Sequence, residues 1–82
     1  MVNKVQNLSE QKKGFKGRVF EVANAGSEIA MTLLELGFHE NADVEILHKG
    51  AFARDPIGIR INDSVFALRK NEAELISVIA TE

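Results

Sequence analysis

Catalysis or metal binding needs a nucleophile, a tuned acid–base pair or a set of donors that converge, and this chain holds few of each. It has no cysteine and two histidines, His39 and His48. No disulfide framework, zinc knuckle, iron–sulfur ligation or thiol nucleophile can be built from such a set, and a reducing cytosol is its natural compartment. The separation of His39 and His48 fits neither the helical nor the hairpin spacing of metal ligands. Both are expected in a turn or near a strand end, with no ligand role. Two carboxylate pairs, Glu40 with Asp43 and Glu72 with Glu74, could face a hard cation, but acidic residues beside turns read as a solvated face. No catalytic residue, metal site or cofactor is assigned. Gly14 and Gly17 bracket Phe15-Lys16 but precede a strand, whereas a phosphate cradle follows a strand and opens a helix. They are expected to supply positive φ in a turn.

The elements that would position these residues follow from period. Lys16 to Val22 is β-branched and aromatic, with Phe20 and Val22 expected on one inward face. Ala23 to Gly26 breaks that pattern. Ser27 can then cap a helix over Glu28 to Leu36, with Ile29, Leu33 and Leu36 on one face and Gly37 taking a left-handed turn at its end. Asp43 to His48 alternates as a second strand. Ile57, Ile59 and Ile61 mark a half-buried third, joined through Asn62-Asp63 to a fourth over Ser64 to Arg69. Lys70 to Ala73 suits one helical turn before a last strand, Leu75 to Ile79. Expected core residues are Ile57, Ile59, Ile61, Phe66, Leu68, Ile76 and Val78, with Phe20 on strand periodicity. Five short antiparallel strands and one helix must curl to protect their edges, so the fold expected is mainly β, a small SH3-like five-stranded barrel with one short α-helix.

At 82 residues the chain has room for one small core, and residues 1–82 are read as a single domain. It carries no apolar run near the ~20 residues of a membrane span and no secretory h-region, so direct membrane insertion and export are not expected. Lys4, Lys12, Lys13, Lys16 and Arg18 oppose only Glu10 before position 20. From Glu21 to His48 there is no Lys or Arg, and the net charge is −2. A nucleic-acid partner would call for a dominant basic surface, and single-strand binding for Tyr or Trp platforms that the chain lacks.

The five phenylalanines are the only aromatics, so the polar-tipped aromatic groove that reads Pro-rich peptides is missing. Aromatic, Arg and turn residues gather outside strand periodicity in one region of the sequence, Leu36, Phe38, Phe52, Arg54, Asp55 and Pro56. These are the candidate partner-binding residues.

The ordered set Leu33-Leu34-Glu35-Leu36-Gly37-Phe38, Asp43-Val44-Glu45-Ile46, Ala51-Phe52-Ala53-Arg54-Asp55-Pro56-Ile57 and Phe66 to Val78 resembles the ferrous iron transport protein A (FeoA) family. Leu8-Ser9-Glu10, Gly14 and Gly17-Arg18-Val19 extend the likeness to about Leu8–Val78. The resemblance implies an SH3-like barrel, no enzymatic activity, and a cytoplasmic accessory role in bacterial ferrous iron uptake. The partner it implies is the G-protein domain of the large membrane-embedded, GTP-hydrolysing B component, which would bring the chain to the inner membrane. A self-contact, giving a homo-oligomer, is the other occupant considered for the same surface. The runner-up function is a regulatory domain sensing a divalent metal or small ligand. Two positions depart from the family pattern: Glu40-Asn41 replaces a Pro-Gly turn, which Asn can sustain at positive φ, and Arg54 stands where a glycine is usual, in a loop expected to tune partner choice. The same fold closes the C-terminus of metal-dependent repressors, but Met1 and the lack of an attached DNA-binding domain point to a free-standing protein.

Overall fold

A computed structural model describes residues 4–52 and 55–81. The elements run β1 (Val5–Asn7), a 3-10 turn (Leu8–Glu10), β2 (Lys16–Val22), α1 (Glu28–Leu36), β3 (Asp43–Phe52), β4 (Asp55–Ile61), β5 (Ser64–Leu68), α2 (Lys70–Ala73) and β6 (Ile76–Ala80). The six strands form one antiparallel sheet in the order β1-β6-β2-β3-β4-β5. Five strands were expected and six are present, because Val5–Asn7 pairs with β6 through the register Val5↔Ile79 to Asn7↔Ser77. β1 and β5 remain as edges.

The ends of α1 are set locally. Ser27 lies in extended backbone and its Oγ accepts from the Ala30 N–H at 3.1 Å, satisfying an orphan donor of the first turn. At the other end Gly37 adopts φ 116°, a left-handed conformation that costs a residue without Cβ nothing. Its N–H donates to the Leu34 carbonyl and that of Phe38 to the Leu33 carbonyl, both at 3.1 Å. This closure directs Phe38 into the core, where it is fully buried.

The core is one cluster fed by β2, β3, β4, β5, β6 and α1, with Val19, Val44, Ile46, Ile57, Ile59, Ile61, Leu68, Ile76 and Val78 packed around Leu33 and Phe38. Inward faces from five strands can share one cluster only if the sheet curls, and register shifts at Val19/Glu21, Ile46/His48 and Lys49/Phe52 bend it. Each fully buried Ile, Leu or Phe contributes about 1.5–3 kcal/mol over its exposed state.

Three expectations need correction. Phe20 is 41% exposed and Val19 is buried instead, because the shift at Val19/Glu21 puts β2 out of phase with simple alternation. Ile29 is 42% exposed. The helix buries Ala30 and Leu33, and the small Ala30 side chain lets α1 turn its stripe toward the sheet. Gly17 has no positive φ; it lies buried in β2, where a Cβ would strike Phe15 and the Ile79 carbonyl, while Gly14 takes φ 93° as expected. The Glu40-Asn41 turn forms with Asn41 at φ 72°.

Candidate partner-binding surface

The hairpin of β3 and β4 carries the most exposed large apolar side chain described in the structure. Phe52, paired in register with Asp55, is 88% exposed at the far end of β3. Beside it Pro56 is exposed and follows a cis peptide bond. Asp55 is half-buried, and its carboxylate accepts a hydrogen bond from the backbone of Lys70 in α2. Arg54 lies outside the described residues.

Leu36 joins this region indirectly. It is half-buried against the core and lines a shallow groove of about 120 Å3 with Ile29 and Leu33 of α1 and Leu68 of β5, rimmed by Glu28 and Glu72. Glu72 belongs to α2, the same short helix whose first N–H is held by Asp55. α2 thus touches both features, through Glu72 at the groove and through Lys70 at the start of β4. Phe38 does not join them, because burial removes it from any partner's reach. Ile29 and Met31, at 42% and 55% exposure, add apolar surface on α1, Ile29 being a residue that helix periodicity assigns to the inward face. Their exposure follows from the rotation of the helix stripe onto Ala30.

The candidate metal donors stay dispersed. His39 is exposed in the turn after α1, and His48 is exposed within β3, which runs four residues beyond the expected end at His48. The Glu72 carboxylate accepts from the Arg69 N–H at 2.8 Å, a local helix-start contact. Among the described residues no group of three or more His, Cys, Asp or Glu side chains is placed to hold a metal ion. An ion pair joins Arg60 to Glu45 at 3.2 Å across β4 and β3.

A small, curled six-stranded sheet with a capping helix and an exposed aromatic at a hairpin end is an SH3-like domain. The FeoA domain model matches residues 6–80, and the chain belongs to the FeoA family, whose members serve ferrous iron transport as accessory proteins. FeoA from Chlorobium tepidum is 34% identical with a TM-score of 0.79, covering 94% of this chain and 71% of that one. Zinc-complexed FeoA from Stenotrophomonas maltophilia, described as a prokaryotic SH3 domain protein, is 32% identical with a TM-score of 0.78, covering 89% and 88%. A manganese-dependent transcriptional repressor shares the fold at 19% identity and a TM-score of 0.85, over 98% of this chain and 44% of that one. No curated protein matches the chain.

Proposed function

We propose that this FeoA-family chain is a non-enzymatic, cytoplasmic binding module that docks on the G-protein domain of the ferrous iron transporter's B component and modulates uptake. The observation that carries the reading is Phe52. A phenylalanine 88% exposed at a hairpin end holds apolar surface in water that a partner would cover, and buried aromatic anchors supply most of the energy of small interfaces. Leu36, Phe52, Asp55 and Pro56 form the contact, with Arg54 as its cationic member. Ile29 and Met31 extend it along α1. Acidic residues at the groove rim, Glu28 and Glu72, steer the encounter more than they hold the complex. Among the described residues no three metal donors converge, and in this reading the role is exerted through contact. Among the described residues no helix is long and apolar enough to cross a membrane, and in this reading it is the partner that holds the chain at the inner membrane.

The test is binding of the purified chain to the transporter's soluble cytoplasmic domain. Phe52→Ala should weaken that binding by ~2 kcal/mol or more. Binding equal to the parent would place the contact elsewhere. A Phe52-dependent self-association without transporter binding would assign the surface to a second copy.

A further inference from the structure

β3 also borders a feature that the docking surface leaves unused. His48 and Lys49 of β3, with Lys12 and Lys13 of the loop before β2, line a cleft of about 590 Å3, a size typical of small-ligand sites. No acidic side chain is among its described lining residues. The lysine-bearing loop is fixed to β3 just past Lys13. The Gly14 N–H donates to the Ile46 carbonyl at 2.8 Å, the Ile46 N–H donates to the Phe15 carbonyl at 3.0 Å, and the Phe15 N–H closes on Lys12 at 3.0 Å. The Lys49 ammonium is anchored at the cleft by donating to the Ser9 carbonyl at 2.9 Å. His48 rests its imidazole against Gly58, where a Cβ would lie 2.6 Å from Nδ1, so the missing side chain at position 58 is what gives the ring its place.

This concentration of cationic groups stands out against the rest of the chain. The net charge is −2, and no Lys or Arg occurs between Glu21 and His48. Three lysines and a histidine lining one void suit a compact anion carrying more than one charge, and lysine serves as a point-charge phosphate binder. An acidic peptide spreads its single charges along ~3.3 Å per residue and would be matched by a stripe of lysines. Here they close on one cleft instead.

We propose that this cleft binds a phosphate-bearing anion, with a diphosphate group as its best match. The phosphate could belong to a free small molecule or to a lipid headgroup, and the proposal stands independently of the docking reading.

The experiment titrates 15N-labelled protein with pyrophosphate at constant ionic strength and, in a parallel arm, sediments it with vesicles of phosphatidylcholine with or without phosphatidic acid. Saturable shifts centred on Lys12, Lys13, His48 and Lys49 below ~10 mM pyrophosphate are expected for a free phosphate ligand. Sedimentation with phosphatidic acid vesicles in the absence of such shifts would identify the headgroup as the source. In either arm the double variant Lys12→Gln/Lys13→Gln, altering two exposed side chains, should weaken binding about tenfold, while Lys70→Gln on α2 leaves it within about twofold. Three results would overturn the proposal. One is the absence of both saturable shifts and vesicle binding, another is equal loss on Lys70→Gln, and the third is a hexaglutamate peptide occupying the same residues as tightly as pyrophosphate.

Discussion

Asp55, the first residue of β4, accepts a 2.8 Å hydrogen bond at Oδ1 from the backbone N–H of Lys70, the first residue of α2. Arg69, which precedes the helix, has no side-chain acceptor to offer, so a residue distant in sequence takes the place of a local cap. One carboxylate thereby ties the exposed hairpin end to the short helix beside the groove. Asp55→Ala should cost about 1 kcal/mol in chemical denaturation, whereas Asp55→Asn, which keeps an acceptor oxygen, should cost clearly less. The absence of a measurable loss in both variants would show that the hydrogen bond contributes nothing.

Phe38 and Phe52 both enter the candidate surface on residue type, and the structure separates them, burying the first and exposing the second. Phe38→Ala should lower stability by about 3–5 kcal/mol, as for a fully buried phenylalanine. Phe52→Ala should stay within about 0.5 kcal/mol of the parent in stability, its effect being reserved for binding. Thermal and denaturant unfolding of both variants reads the difference directly.

Much of the fold was legible because its signals are local. Ser27 and Gly37 bound α1 by hydrogen bonds within a turn of the helix, and the helix runs over Glu28–Leu36 as the sequence implies. The alternation of Ile57, Ile59 and Ile61 marks β4 for the same reason. β1 was missed because Val5-Gln6-Asn7 has no apolar period and owes its strand character to the backbone of β6, more than 70 positions away. Phe20 was misplaced because a register shift is a property of two paired strands and leaves no mark in one. Of the candidate surface, the residue types were readable. That Phe38 turns inward and that α2 joins Leu36 to the hairpin are tertiary facts.

Ile59 is fully buried in mid-sheet, opposite Ile46 on one side and Phe66 on the other. Truncation to alanine should cost about 2–5 kcal/mol. A loss below ~0.5 kcal/mol, measured by denaturant unfolding, would mean that β4 presents its other face to the core.

His48 and Gly58 should be energetically coupled. A methyl group at position 58 collides with the imidazole, so Gly58→Ala should cost about 1–3 kcal/mol in the parent. With His48→Ala already in place the obstacle is gone, and the same change should cost at least ~0.5 kcal/mol less. A double-mutant cycle showing simple additivity would mean that the ring swings aside freely.

After chelation and dialysis the chain should retain no stoichiometric transition metal, since the described donors form no cluster of three. Elemental analysis checks this. One tightly held zinc or iron per chain would favour a metal-sensing role.

The position of β6 bears on how the chain reaches this fold. Ile76–Ala80 lies between β1 and β2, so the last strand in sequence is an interior strand of the sheet. As the chain leaves the ribosome, β3, β4 and β5 can zip together as successive hairpins, but β1 has no neighbour and β2 offers a bare edge until the final strand emerges and is inserted. These late pairings span most of the chain and carry its largest loop-closure entropy, which makes them the natural slow step of folding. A nascent chain halted before Ile76 would leave β1 unpaired and one edge of β2 bare, and that interval is when this protein is most open to aggregation or chaperone capture.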